Sequence, residues 1–130
     1  MQLGYVILYV PDVEAAVAFY ERAFALTRRF VAGGDYGEVE TGATALAFAG
    51  EHMAEGGGGR IRPSRPDDPD AAAVEVAFVT DDPAAAFARA VAAGARPVQP
   101  PAVKPWGQTV AYVRDLNGFL VELCSPVPPR

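Results

Sequence analysis

Hydrophobic positions recur along this chain with two different periods, and the period separates helices from strands. Apolar side chains three and four residues apart, as in Val13, Val17 and Tyr20, indicate an amphipathic helix. Short runs rich in β-branched and aromatic residues, bounded by Gly, Pro or Asn, indicate strands. The pattern predicts strands at 5–10, 27–31, 36–41, 43–49, 74–80, 96–98, 109–113 and 119–123, and helices at 13–24 and from 83 to Gly94.

Signals at the ends of these segments support the assignment. Asp12 and Asp82 precede the helices, where a carboxylate can accept the unsatisfied N–H groups of the first turn. Pro83 suits the first helical position because no N–H donor is needed there, and Gly94 suits the helix end. The turn at 115–118, with the sequence Asp-Leu-Asn-Gly, predicts a hairpin between the last two strands.

The same order of elements occurs twice. A shift of 70 residues places Tyr5 on Glu75 and Asp12 on Asp82, and each half is a strand, a helix and three strands. A half of about 60 residues cannot bury its sheet alone, so the two βαβββ modules are expected to share a core or a sheet edge. We predict a single domain over 1–130, made of a first module at 1–50, a loop at 51–73 and a second module at 74–126.

The loop differs in composition from the modules. It has no hydrophobic period, and it contains four consecutive glycines at 56–59 followed by Pro63, Pro66 and Pro69. Such a stretch is either a disordered linker or a functional lid. If it is a lid, the basic residues Arg60, Arg62 and Arg65 could close over an acidic ligand, although solvated charge is their ordinary role.

Composition narrows the class of protein. The chain has 130 residues, 51% of them hydrophobic, which is typical of one globular domain. A net charge of -5 argues against a nucleic-acid partner, because phosphate binding needs a basic face. A lone cysteine, Cys124, excludes an internal disulfide, and no stretch approaches the ~20 apolar residues that cross a membrane. We therefore expect a cytoplasmic protein.

With the repeat established, several motifs carry a resemblance to a known family. They are Tyr-Val-Pro-Asp-Val-Glu-Ala-Ala-Val-Ala-Phe-Tyr at 9–20, Trp106-Gly107, Asp115-x-Asn117-Gly118 and Val121-Glu122-Leu123. The chain resembles the vicinal oxygen chelate superfamily, which contains glyoxalases, bleomycin-resistance proteins and extradiol dioxygenases. The resemblance implies an α+β fold in which an eight-stranded mixed sheet curls into a cup, with helices outside and a small-molecule ligand inside. It also implies a homodimer, which the open sheet edges of a single chain would favour.

Strand alternation separates two faces of the predicted sheet. One parity is entirely apolar and is expected to pack against the helices. The other parity mixes small residues, phenols and carboxylates, which suits a cavity lining. This second set contains Tyr5, Ile7, Tyr9, Ala45, Ala47, Glu75, Ala77, Leu120, Glu122 and Cys124.

The resemblance also implies four metal-ligand positions, on the first and last strand of each module. Carried over residue by residue, they are Tyr5, Ala47, Glu75 and Glu122. Zn²⁺, Ni²⁺ or Fe²⁺ would need imidazoles or more carboxylates, and the only histidine, His52, lies beyond the relevant strand. We therefore expect no metal cofactor, with Glu75 and Glu122 able at most to hold Mg²⁺ or Mn²⁺ weakly.

Glu75 and Glu122 are the main candidates for chemistry. Both lie on strands among apolar neighbours, so loss of hydration and mutual repulsion should leave one protonated and one ionised. Such a pair can bind a cationic amine or serve as acid and base. The alternative is a solvated Glu75 and a Glu122 paired with Arg114 or Arg28.

Two functions follow from these residues. The leading expectation is a protein that binds a small cationic or aromatic molecule without a transition metal, with Tyr5, Tyr9, Glu75, Trp106 and Glu122 lining the site. The alternative is a lyase, isomerase or epimerase of the glyoxalase type. In that case Glu75 and Glu122 would be the catalytic acid and base, or weak ligands of a divalent metal.

Overall fold

The computed structural model describes residues 1–55 and 59–129, which fall into two compact units, Met1–Ser64 and Arg65 onward. The first unit contains β1 (Tyr5–Val10), α1 (Val13–Phe24), β2 (Arg28–Ala32), β3 (Tyr36–Val39), β4 (Ala45–Gly50) and a single 3-10 turn (Glu51–Met53). The second contains β5 (Glu75–Val79), α2 (Pro83–Ala92), β6 (Arg96–Val103), β7 (Thr109–Arg114) and β8 (Leu120–Cys124). The glycines at 56–58 of the predicted loop lie outside the described residues.

Each unit has the same strand order. The first sheet runs β1-β4-β3-β2 and the second runs β5-β8-β7-β6. In both, the first strand of the module pairs in parallel with the last, and the remaining neighbours are antiparallel. The predicted α+β fold of two βαβββ modules is confirmed, and the eight strands form two four-stranded sheets.

Helix α1 packs on one face of the first sheet. Its Asp12 Oδ1 accepts a hydrogen bond from the Ala15 N–H at 3.0 Å, as the N-cap prediction required. The ring of Tyr20 lies 4.8 Å from that of Phe48 on β4, measured between centroids. Beneath the helix stands Gly37, where an added Cβ would lie 3.1 Å from methyl carbons of both Val13 and Val17. The helix therefore approaches the sheet closely at this glycine.

Helix α2 has matching end signals in the second unit. Asp82 Oδ1 accepts from the Ala85 N–H at 3.0 Å. At the other end, the Gly94 N–H donates to Val91 O at 3.0 Å and the Ala95 N–H donates to Ala90 O at 2.9 Å. This pair of bonds, with a φ of +109° at Gly94, is a Schellman motif, in which glycine avoids the steric penalty of a left-handed residue. No helix in the described parts of the chain is both long and apolar enough to cross a membrane.

Strand β6 is longer than the sequence predicted. It continues to Val103 through Pro97, Pro100 and Pro101, whereas the prediction ended at 98. Proline lacks the N–H that a central strand must donate, but β6 has a partner on one side only, so the missing donors can face away from the ladder. The edge position explains how the strand continues past residue 98, where the prediction ended.

A β-bulge occurs at the same place in both modules. The β2–β3 register shifts between Arg28 and Phe30, and the β6–β7 register shifts between Pro97 and Gln99. The residues left out of the pairing are Arg29 and Val98. A bulge re-aims a side chain locally, so these two residues leave the regular alternation of their strands.

The β7–β8 hairpin sets the register of the second sheet. Asp115 Oδ1 accepts from the N–H groups of Asn117 and Phe119, both at 2.9 Å, and Gly118 has a φ of +89°. A three-residue loop with a left-handed glycine is a common hairpin connection. It places Tyr112 opposite Glu122.

Candidate functional site

Four side chains of the second sheet form what we call the Glu75–Glu122 face: Glu75, Tyr112, Glu122 and Cys124. Glu122 pairs with Tyr112 on β7 and with Ala77 on β5, so the two neighbours point to the same side of the sheet as Glu122. Glu75 lies two residues before Ala77, on the same side. The small Ala77 leaves room for the Glu75 carboxyl group to reach Glu122.

Glu122 is the centre of the hydrogen bonding on this face. The Tyr112 hydroxyl donates to Glu122 Oε1 at 3.0 Å, and the carboxyl group of Glu75 is hydrogen-bonded to Glu122. The Cys124 thiol donates to Phe78 O at 3.6 Å, and Cys124 lies two residues after Glu122 on the same side of β8. The predicted convergence of Glu75 and Glu122 is present.

The surroundings raise the pKa of three of these groups. Loss of hydration around its carboxyl group raises the pKa of Glu75, and the hydrogen bond to Glu122 and the charge of Glu122 raise it further. Burial, followed by the bond to Glu122, raises the pKa of Tyr112 to about 12 and the pKa of Cys124 to about 11. Glu75, Tyr112 and Cys124 therefore hold their protons more tightly than they would in water, and Glu122 lies among them.

Within residues 1–55 and 59–129, the carboxylates of the face have no basic partner. In the described chain, no Arg, Lys or His side chain forms an ion pair with Glu75 or Glu122. Arg114 donates to main-chain carbonyls, and Arg28 pairs with Glu14 and Glu21. The part of the alternative in which Arg114 or Arg28 neutralises Glu122 is therefore wrong, whereas Glu75 is exposed at the start of β5, as the same alternative expected.

The first sheet holds a different carboxylate, Glu38, which the sequence analysis missed. Glu38 is only 5% exposed and pairs across the ladder with Ala47. Its carboxylate accepts from the Tyr36 hydroxyl at 2.6 Å and from Arg29 Nη1 at 3.0 Å. Burial, with the bond to Glu38, raises the pKa of Tyr36 well above its ordinary value. Unlike Glu122, this buried acid is neutralised inside the fold.

Tyr112 and Glu38, which the sequence analysis missed, could both have been found from strand register. Tyr112 is opposite Glu122 in any hairpin that is closed by the turn at 115–118. The pattern Tyr36-x-Glu38-x-Glu40 alternates on one strand next to Arg29, which bonds both glutamates. The relevant signal is a polar residue that alternation places on the sheet face where small residues, phenols and carboxylates are mixed.

The other predicted ligand-binding residues, Tyr5, Tyr9 and Trp106, belong to other elements of the chain. Tyr5 and Tyr9 are on β1 of the first unit, where Tyr5 is 59% exposed and Tyr9 is half-buried. Trp106 is in the turn between β6 and β7, and its Nε1–H donates to Gln108 Oε1 at 2.8 Å. This turn lies beyond the Cys124 end of the sheet and Glu75 lies at the opposite end, so roughly 13 Å of strand separates them. Trp106 is thus not brought to Glu75.

The residues at the family's metal positions do not fit a transition-metal centre. In the first unit, Ala47 has no donor atom, and the nearby Glu38 is bonded to Arg29 and Tyr36. In the second unit, Glu75 and Glu122 are bonded to each other, and two carboxyl groups supply fewer donor atoms than a transition-metal centre needs. Over 1–55 and 59–129, no three His, Cys, Asp or Glu side chains are grouped so as to hold a metal ion.

The repeated strand order and the acidic face define the class, a protein of paired βαβββ modules. The family model for the glyoxalase/bleomycin resistance protein/dioxygenase superfamily matches residues 2–123. The chain belongs to this superfamily, and the resemblance drawn from its motifs is confirmed. Among curated proteins, none matches the chain in sequence.

Solved structures share the fold at low sequence identity. A glyoxalase-related enzyme from Fulvimarina pelagi superposes with a TM-score of 0.81 at 23% identity, covering 96% of this chain and 88% of that one. A glyoxalase/bleomycin resistance protein/dioxygenase from Nocardioides gives 0.76 at 22% identity, covering 100% and 89%. TioX from Micromonospora sp. ML1 gives 0.71 at 26% identity, covering 96% and 98%. These likenesses concern the architecture.

Proposed function

We propose that this protein binds a small organic molecule that carries a cationic nitrogen, at the Glu75–Glu122 face and without a transition metal. The observation that carries the proposal is the carboxyl pair itself, two acids hydrogen-bonded to each other with no basic residue of the described chain bonded to either. A cationic guest would supply the missing positive charge.

The contrast with the first sheet supports this assignment. Arg29 bonds Glu38 at 3.0 Å and Glu40 at 2.8 Å, so the acids of β3 already have a counter-charge. On the second sheet the acid pair has no such counter-charge among the described residues, and the raised pKa of Glu75 means that a proton bound there could be exchanged for a ligand cation. A planar amidinium group suits the site, because two N–H groups on one side can reach two carboxylates.

A matched pair of ligands tests the proposal. Benzamidine is a planar cation, whereas benzamide is nearly the same shape and neutral. Isothermal titration calorimetry and thermal shift at pH 8 should detect benzamidine binding and no comparable benzamide binding. Equal responses to both compounds, or no response to either, would remove the support for a cation site.

Variants identify the residues that bind the ligand. Glu122→Gln should weaken benzamidine binding most, by about tenfold or more, because Glu122 lies between Glu75 and Tyr112 at the centre of the face. Glu75→Gln should weaken it less. The control is Glu55→Gln, which removes an exposed acid in the other unit and gives the same change in net charge. If all three variants behave alike, the effect belongs to net charge and the assigned face is wrong.

One observation favours a second candidate, proton-transfer catalysis of the glyoxalase type. The pKa of Glu75 is raised by burial and by the neighbouring Glu122, which is the direction required of a general acid next to a general base. An assay with methylglyoxal and glutathione tests it. Turnover that is lost in both Glu75→Gln and Glu122→Gln would place catalysis ahead of binding, and turnover that survives both would exclude these residues as the catalytic pair.

A further inference from the structure

Residues 65–68, which we call the strap, are fastened to the second sheet by a buried arginine. Arg114 is 4% exposed, and its guanidinium donates to three main-chain carbonyls. Nη1 donates to Asp68 O at 2.5 Å, Nη2 to Arg65 O at 3.3 Å, and Nε to Gly118 O at 2.8 Å. A single side chain thus connects both ends of the strap to the β7–β8 turn.

The strap also fits tightly against that turn. A Cβ added at Gly118 would collide with the Arg65 carbonyl oxygen and would lie 2.7 Å from its carbon and 2.9 Å from Arg114 Nη2. The strap folds on itself through a bond from the Asp68 N–H to Arg65 O at 3.3 Å. Arg96 Nη1 adds a bond to Pro66 O at 3.0 Å. Glycine at position 118 is therefore required by the strap as well as by its own φ.

The strap lies at the Glu75 end of the sheet. Arg114 pairs with Leu120, and Leu120 pairs with Glu75, so the three residues form one row across β7, β8 and β5. Paired residues point to the same side, which is the side of the Glu75–Glu122 face. The β7–β8 turn, against which the strap packs, closes this same end.

The strap is held mainly by polar bonds to its main chain. Pro66 and Asp67 are exposed, and Arg65 and Asp68 are half-buried, so little apolar surface is covered. Segments of this kind open locally at a lower free energy than the strands beneath them. Opening would break the bonds of Arg114 to Arg65 and Asp68 while the ladder of β7 and β8 stays paired.

We propose that the strap opens as a unit while the second sheet stays folded, and that this opening governs how fast a ligand enters and leaves the Glu75 end of the face. The kinetic part rests on the proposed function, whereas the opening itself does not.

Amide exchange measures the opening directly. The Asp68 and Asp70 N–H groups are the reporters, because they donate to Arg65 O and to Asp68 Oδ1 respectively. Gly118→Ala pushes on the Arg65 carbonyl and should speed exchange at both reporters by about tenfold or more. Arg114→Lys, which can satisfy fewer carbonyls, should act in the same direction.

A second glycine provides the control for backbone strain. Gly42 has a φ of +100° with nothing within 4 Å of an added Cβ, so Gly42→Ala carries the left-handed penalty without touching the strap. It should leave the reporters unchanged. If the β7 and β8 amides lose protection together with Asp68, or if Gly118→Ala leaves the reporters unchanged, the strap does not open separately and the proposal is overturned.

Stopped-flow binding of benzamidine tests the kinetic part. Gly118→Ala should raise the association and dissociation rates together, by about tenfold, and leave Kd nearly constant. Faster exchange at the reporters with unaltered ligand rates would overturn the gating. If benzamidine does not bind the unmodified chain, the proposed function fails and the gating fails with it, while amide exchange still decides whether the strap opens.

Discussion

Neighbouring side chains determine whether a carboxylate in this chain has a positively charged partner. Glu38 is buried, yet Arg29 and Tyr36 supply its hydrogen bonds and a positive charge. Glu122 is bonded to Tyr112 and Glu75 and has no positively charged partner among the described residues. The same residue type therefore has an arginine partner in one sheet and none in the other.

The raised pKa of Glu75 predicts how stability depends on pH. Because the folded state binds this proton more tightly than the unfolded state does, the group favours folding at low pH, and that contribution is lost as pH rises from the ordinary Glu value through the raised one. Glu75→Gln should therefore have a higher Tm than the unmodified chain at pH 8, with the difference shrinking towards pH ~4. Thermal unfolding monitored by circular dichroism across this range measures it.

Glu55→Gln separates this effect from a general reduction of negative charge. A gain in Tm at pH 8 that is equal in Glu55→Gln and Glu75→Gln would show that the gain does not arise from the carboxyl pair.

Arg114 predicts a large change from one buried side chain. Arg114→Met removes the donors of three carbonyls and should lower the free energy of unfolding by about 2 to 4 kcal/mol in urea denaturation. Arg96→Met removes one bond at an exposed site and should lower it by no more than about 1 kcal/mol. If Arg114→Met and Arg96→Met lower the free energy of unfolding equally, the burial of Arg114 adds nothing to its contribution.

At the scale of elements, the contact of α1 with β3 depends on the absence of a side chain. A Cβ at Gly37 would lie 3.1 Å from Val13 and Val17 and 3.2 Å from Val31. Gly37→Ala should therefore destabilise the first unit by about 1 to 3 kcal/mol through overpacking. Gly34→Ala, where nothing lies within 4 Å, should be neutral or slightly stabilising. Urea denaturation of both variants gives the comparison, and equal values would contradict it.

The sequence predicts elements well where their signals are local. Asp12 and Asp82 cap the helices as expected, and the turn at 115–118 closes the expected hairpin, because each of these interactions spans only a few residues. The length of β6 could not be predicted in this way. Whether Pro100 and Pro101 interrupt a strand depends on which side of the strand is paired, and that is decided by its position in the sheet.

At the scale of the whole molecule, the repeat made the fold predictable, and pairing between strands made only part of the site predictable. Alternation correctly placed Glu75 and Glu122 on one face, because it needs only the strand assignment. The roles of Tyr112 and Arg29 depend on which residues are opposite one another across two strands and, for Arg29, on a bulge. The anchoring of residues 65–68 depends on Arg114, which is 46 residues from Asp68 in sequence.

The open sheet edges lead to a prediction about assembly. Strand β1 ends the first sheet and β5 ends the second, and each carries exposed apolar side chains, including Tyr5, Ile7 and Val79. Unpaired edges with apolar neighbours favour association, so we predict a homodimer. Light scattering coupled to size-exclusion chromatography should give twice the chain mass of 13.7 kDa. A single-chain mass that persists at high protein concentration would refute it.

The bulge shared by the modules bears on how they diverged. In the first repeat the bulged residue is Arg29, which gives its acidic neighbours an internal cation, and in the second it is Val98, which is 52% exposed and has no charge to offer. Under the proposed function, the bound ligand supplies the positive charge that Arg29 supplies in the first module. After gene duplication, the first module would then balance the charge of its carboxylates internally, whereas the second module could change the ligand that it binds.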